Sequence, residues 1–257
     1  MTAATVVRLS TTPVKGLALA HPGAVRVTGA GVEEDRRFVL VDADARKHSS
    51  PQSGALATVH GTYDPDEDAL TLTLPDGSVV DGVVSLGEPI ESVFFRNRRP
   101  GRIVIGPWAE PLSEVAGRPL RLVKVDRPGA AQDVHPLTLI STGSIRDLGR
   151  RVDRPDLDGR RFRMTVEVDG VEAYGEDAWI GRHVRAGAAV LRIVDRVARC
   201  VATTRDPATG ARDVDTLAAL AAYRRTLDGV ALPLGVYAEV VRPGTIAVGD
   251  AVAPIPA

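Results

Sequence analysis

Short runs rich in β-branched residues recur between turn signals along nearly the whole chain, and this pattern limits the fold more than any other feature. Before residue 126 they are Thr5 to Leu9, Val25 to Thr28, Phe38 to Asp42, Leu70 to Leu74 and Ile103 to Ile105. After residue 134 they are Leu137 to Ser141, Phe162 to Val168, Ala189 to Val194 and Val236 to Val241. Leu70 to Leu74 alternates apolar with polar and runs into Pro75, Asp76, Gly77, the strongest hairpin signal in the chain. Helices are expected at Trp108 to Val115 with a stop at Gly117, from about Thr142 to Val152, and from Asp215 to about Arg225. Asp213 or Asp215 can cap the last of these, and Leu217, Leu220 and Tyr223 share one face. Strands linked by turns outnumber helices, so the fold class is mixed, mainly β with a few helices, packed barrel-fashion rather than as a doubly wound sheet. Asp126 to Asp133 carries a Pro-Gly turn and no apolar periodicity, and we divide the chain there into domains 1–126 and 134–257.

Composition excludes several classes. The 257 residues are 44% apolar and carry 32 Lys plus Arg against 33 Asp plus Glu. That describes a soluble globular chain with no long-range pull toward nucleic acid or an acidic membrane surface. Aromatic residues make up 4%, too few for a base-stacking platform. No run reaches the roughly 20 apolar residues of a spanning helix. Met1 to Ser10 reads as a strand rather than a secretory signal, so a cytoplasmic location is expected. Cys200 is the single cysteine, which excludes an intramolecular disulfide and any zinc or iron–sulfur site made of protein thiolates alone. The five histidines have no ligand spacing, and there is no phosphate-binding glycine loop, dinucleotide fingerprint or nucleophile-elbow serine.

A few residues carry candidate chemistry. Cys200 has Arg196, Arg199 and Arg205 within five positions, and nearby cations favour the thiolate that a metal ligand or nucleophile requires. The alternative is a buried core cysteine at a strand end. Lys15, followed by Gly16, and the motif Asp35, Arg36, Arg37 could together bind phosphate, a point charge beside a guanidinium fork; otherwise they are solvated charges. Lys47 and Lys124 read as ordinary surface charges. Strand periodicity would put Arg161 and Arg163 on one face opposite Phe162, either lining an anion cleft or facing solvent. Glu176 and Asp177 could supply an acid or base if one were buried, or be plainly exposed.

The order of these motifs resembles the MOSC-domain family, in particular the amidoxime-reducing proteins and their bacterial relatives. The resemblance runs through Pro13 to Gly16, Gly31 to Asp42, Asp133 to Thr142, Arg161 to Arg163, Glu176 to Gly181, Arg199 to Val201, Asp206 to Gly210 and Gly244 to Asp250. It implies an N-terminal β-barrel domain followed by a MOSC domain, with a molybdenum cofactor (Mo-molybdopterin) held between them. By resemblance, Cys200 would ligate molybdenum. Lys15 and Arg36 would hold the pterin's phosphate, and Ser141, Thr142 and Arg163 would line the pterin site. Met164 and Thr165 stand where the family often has Pro then Asn, so that contact is expected to be altered or lost.

The implied activity is reduction of N-hydroxylated compounds such as amidoximes, hydroxylamines and N-hydroxylated bases. Asp177 is assigned to positioning or proton delivery. The chain ends at Ala257 without the ferredoxin domain of some relatives, so electrons are expected from a separate donor protein of flavin, haem or iron–sulfur type. Two rival readings remain open: a sulfur-transfer protein using a Cys200 persulfide, and a non-catalytic carrier of the cofactor.

Overall fold

The structure, a computed structural model, describes residues 4–256. The first half contributes β1 (Ala4–Leu9), β2 (Ala24–Thr28), β3 (Gly31–Val32), β4 (Phe38–Val41), β5 (Lys47–His48), β6 (His60–Asp64), β7 (Ala69–Thr73), β8 (Val79–Val83), β9 (Ser85–Phe94), β10 (Asn97–Ile105), α1 (Ala109–Ala116) and β11 (Arg121–Val125). The second contributes β12 (Leu137–Ser141), α2 (Thr142–Arg151), β13 (Val166–Asp169), β14 (His183–Ala186), β15 (Ala189–Ala198), α3 (Thr216–Tyr223), β16 (Thr226–Leu227), β17 (Val230–Ala231), β18 (Pro233–Arg242), β19 (Gly244–Ala247) and β20 (Ala251–Pro254). The chain is mainly β, as its strand pattern predicts.

Seven strands close into a barrel in the order β1-β13-β12-β18-β15-β14-β20. Its interior is apolar, with Val6, Leu9, Val168, Val184, Leu191, Ile193 and Val236 all fully buried. The first half builds a five-stranded sheet, β5-β4-β11-β10-β9, and a three-stranded meander, β6-β7-β8. Strand β4 is buried at all four positions because a core lies on each face. Phe38 and Leu40 pack with Leu17, Leu70 and Trp108, whereas Val39 and Val41 pack with Phe94 and Val123. The seam from Asp126 to Asp133 separates β11 from β12, yet pairing crosses it. Strand β1 pairs with β13 and β20, and β2 pairs with β19. The barrel of the second half therefore contains the first strand of the chain.

Local signals act as expected at the turns and caps. Gly77 (φ 86) turns the β7–β8 hairpin and Gly117 (φ 69) ends α1, both in left-handed backbone that favours glycine. Asp215 caps α3 by accepting from the Ala218 amide at 2.9 Å.

Two segments depart from expectation. Residues 162–168 do not form one strand: Gly159–Phe162 is a 3-10 turn capped by Asp158, Arg163 takes φ 54, and β13 begins only at Val166. Arg161 and Arg163 consequently do not share a face, because a turn rather than a pleat separates them. The long β9–β10 hairpin is also more extended than its sequence implies. Its charged and Pro/Gly-containing strands lie mostly exposed, and so lack the apolar alternation that marks a half-buried strand.

Candidate functional site

A cleft of about 310 Å³ opens where β15 ends, between the barrel and the first-half sheet. Cys200 follows β15 directly and begins the 3-10 turn Val201–Thr204, with the Thr203 amide donating to the Cys200 carbonyl at 3.1 Å. The thiol is exposed on the cleft wall, so Cys200 is not a core cysteine. Arg199 sets the backbone immediately before it. The Arg199 guanidinium donates to the Leu234 carbonyl (Nε, 2.8 Å), the Phe162 carbonyl (3.1 Å) and the Met164 thioether sulfur (2.9 Å). Gly235, at φ 72, makes room for this: a Cβ there would stand 2.7 Å from Met164 Cε and 3.2 Å from an Arg199 guanidinium nitrogen.

Lys15, Lys47 and Asp133 form a second group in the same cleft. The Asp133 carboxylate accepts from Lys15 Nζ at 3.1 Å and from Lys47 Nζ at 2.9 Å. Lys15 is only 7% exposed, and burial pulls its ammonium pKa down to about 8. Burial alone would raise Asp133, but the two lysines outweigh it and hold the carboxyl at about 2. Arg36 is buried beside them, ion-paired to Asp35, while Gln132 also donates to Asp35 at 3.0 Å. Lys15 and Arg36, two of the residues assigned to phosphate, thus stand in one cleft with Cys200.

Arg161 and Arg163 separate here. Arg161 makes a bidentate pair with Asp213 (3.0 and 3.0 Å) and donates to the Thr203 carbonyl at 3.2 Å, bracing the turn that carries Cys200. Arg163 donates to the Leu17 carbonyl at 2.7 Å and has no carboxylate within ion-pair distance among the described residues. Burial draws both Arg163 and Arg199 down to about 10. Six cations line the cleft (Lys15, Arg36, Lys47, Arg161, Arg163, Arg199) and three carboxylates pair with them (Asp35, Asp133, Asp213), an excess of three positive charges. Desolvated cations without counter-ions favour an anionic ligand.

Other assigned residues lie elsewhere. Ser141 and Thr142 do not line the cleft. Ser141 is fully buried, caps α2 by accepting from the Ser144 amide at 3.0 Å, and donates to Glu176 at 2.8 Å. Thr142 donates to Asp169. Asp177 does not line the cleft either; its Oδ2 accepts from Arg196 (2.9 Å) and Arg224 (2.7 Å). Its neighbour Glu176 is completely buried, and burial raises its pKa although Ser141 and Ser144 donate to it. Of the three arginines near Cys200 in sequence, Arg196 turns to Asp177 and Asp228 and Arg205 to backbone carbonyls, leaving Arg199 as the cation beside the thiol. Met164 lines the cleft and accepts from Arg199, whereas Thr165 bonds Thr138.

Sequence reasoning missed several cleft residues, Asp133 and Val134 among them. Lys47 is a partly buried cleft cation rather than a surface charge, and Phe95, His135 and Tyr237 complete the walls. The His135 and Tyr237 rings pack at 5.2 Å. Lys124 lies outside the cleft, tied to Asp68 at 2.8 Å and Tyr63 at 2.9 Å, so it too is no ordinary surface charge.

The family model described as the MOSC domain matches residues 126–253, and that of the MOSC N-terminal beta barrel domain matches residues 3–93. Mitochondrial amidoxime-reducing component 1 of Danio rerio is 36% identical over 249 residues, spanning 86% of this chain and 74% of that protein. The chain belongs to the MOSC-domain family. The human mitochondrial amidoxime-reducing component 1 is 26% identical, over 96% of this chain and 82% of that protein. Among solved structures, the YUAD protein from Bacillus subtilis is 10% identical with a TM-score of 0.45, covering 98% of this chain and 94% of that chain. In this MOSC-domain chain both matched regions line the cleft: residues 3–93 bring Lys15, Arg36 and Lys47, and residues 126–253 bring Asp133, Arg163, Arg199 and Cys200.

Proposed function

We propose that this MOSC protein is a molybdenum-cofactor-dependent oxidoreductase that reduces N-hydroxylated compounds, drawing electrons from a separate donor protein. The observation that carries the reading is one exposed thiol in a cleft with three more positive charges than negative ones. This donor set suits the group. A thiolate is a good ligand for a soft-binding, redox-active metal, and buried Lys and Arg are what a phosphate tail requires. Cys200 would hold the metal, and Lys15, Arg36 and Arg163 the phosphate.

When bound, the cofactor supplies a two-electron couple for removing oxygen from nitrogen. The rest falls to the chain. Arg199 and the Arg161 brace fix the turn on which the thiol sits, so Cys200 is presented with little freedom to move. Conversion of an N-hydroxyl substrate to amine and water consumes two electrons and two protons. Tyr237 lines the cleft, and burial raises its pKa, so its hydroxyl stays protonated at neutral pH and can donate. Tyr237 takes the proton-delivery part that the sequence assigned to Asp177. The relatives' name, amidoxime-reducing component, supports the same substrate class.

The test is to purify the protein from a molybdate-supplied host and measure molybdenum and pterin per chain for wild type and Cys200→Ser. Wild type is expected to carry both and to reduce benzamidoxime with an artificial donor; the variant is expected to lose turnover. Wild type without metal or pterin overturns the proposal. A persulfide on Cys200 in the metal-free protein would instead point to sulfur transfer.

A further inference from the structure

Phe95 is 76% exposed, the most exposed of the large apolar residues among those described, and it stands at the mouth of the Cys200 cleft. It occupies the turn between β9 and β10 with φ 53, left-handed backbone that an aromatic residue adopts only against a steric penalty. The tip is anchored: Phe94 beside it is 2% exposed and packed into the core, and the Val93 amide donates to the Ala45 carbonyl at 2.8 Å. Lys47 Nζ lies 4.7 Å from the Phe95 ring centroid and is itself held by Asp133. Next to Asp133, Val134 is 63% exposed and lines the same mouth. The ion pair of Lys47 with Asp133 thus lies beside both apolar lips. Strain, exposure and anchoring at one aromatic residue mark a ring held out for a ligand rather than for the core.

We infer that Phe95, with Val134, selects substrates whose N-hydroxylated group is carried on a flat aromatic ring, the ring resting on Phe95 while the polar group reaches toward Cys200. This rests on the proposed reductase reading and adds its specificity. Such a face contributes little to a substrate no larger than acetamidoxime, which has no ring to stack.

The experiment compares benzamidoxime with acetamidoxime for cofactor-loaded wild type, Phe95→Ala, Phe95→Gly and Phe95→Tyr. Binding of benzamidoxime to the oxidised, non-turning protein is measured by ligand-detected NMR. Removing the ring is expected to raise KM for benzamidoxime about tenfold with kcat unchanged, weaken binding to the same degree and leave acetamidoxime within about twofold. Phe95→Tyr should restore wild-type behaviour. Phe95→Gly should raise Tm by relieving the left-handed backbone while still weakening benzamidoxime, opposite signs that a merely structural residue would not give. Equal losses for both substrates, or unchanged benzamidoxime binding in Phe95→Ala, would overturn the inference. Wild type that binds benzamidoxime through Phe95 yet reduces neither compound would overturn the reductase reading and leave the selective lip standing.

Discussion

The brace beneath the Cys200 turn and the cleft wall facing it use the same residue type and treat its charge in opposite ways. Arg161 is 4% exposed and neutralised by a two-point pair with Asp213, so its charge is spent within the protein. Arg163, two residues on, is drawn down to about 10 by burial and meets only the Leu17 carbonyl. A neutralised buried pair holds shape; a half-buried cation without a carboxylate adds little to stability and is useful when an anion arrives. The contrast teaches that charge balance within the fold, rather than residue identity, separates the framework from the site.

The comparison breaks most readily at Arg161. Arg161→Ala should leave Asp213 without its partner and destabilise the fold by about 3 kcal/mol, read as a fall in urea midpoint with unchanged slope. Arg163→Gln should do the reverse, leaving stability within about 0.5 kcal/mol while cofactor retention drops about tenfold through the loss of a charge-assisted contact. Should both variants lose stability alike, the distinction fails.

Changing pH probes the contrast at Lys15. Its folded pKa, about 8, lies below the ordinary 10.5, so the unfolded chain binds more protons between those values, and the lysine's contribution to stability rises with pH across that window. Anion binding needs the ammonium, so pyrophosphate affinity of the metal-free protein should fall as pH climbs past about 8. Calorimetric titrations from pH 7 to 10, beside unfolding curves, should show the two quantities moving in opposite directions. Pyrophosphate affinity that stays level across this window would mean that Lys15 is not the anion's partner. The smallest effect belongs to Glu176, whose carboxylate is satisfied by serine hydroxyls. Glu176→Gln should cost about 1 kcal/mol near neutral pH and leave turnover unchanged.

Much of this was legible in the chain. Alternation gave the hairpin of β7 and β8, and a glycine stop and an aspartate cap bounded α1 and α3, because those signals act within a few residues. Cys200, Lys15 and Arg36 were found through a motif order matching a family, although no local rule joins them. Lys47 was missed because its burial comes from Asp133, 86 positions away, and the hydrophobic lip because an exposed Phe in a charged hairpin has no periodic signature. Arg161 and Arg163 were misplaced together because Arg-Phe-Arg alternates like a strand, while the turn is fixed by Asp158 and by partners distant in sequence. Ser141 looked like a ligand-facing hydroxyl and is instead a helix cap.

The pairing of β1 with β13 and β20 also has a consequence for synthesis. Ala4 to Leu9 leave the ribosome long before their partners, and β1 finds its neighbours only when Val166 to Asp169 and then Ala251 to Pro254 have emerged. Until then an apolar strand edge waits unpaired, a state exposed to misassociation and slow to resolve because every closing contact spans most of the chain. Barrel closure is therefore late in the order of folding. Because both halves line the cleft, its full set of cations has not come together before then.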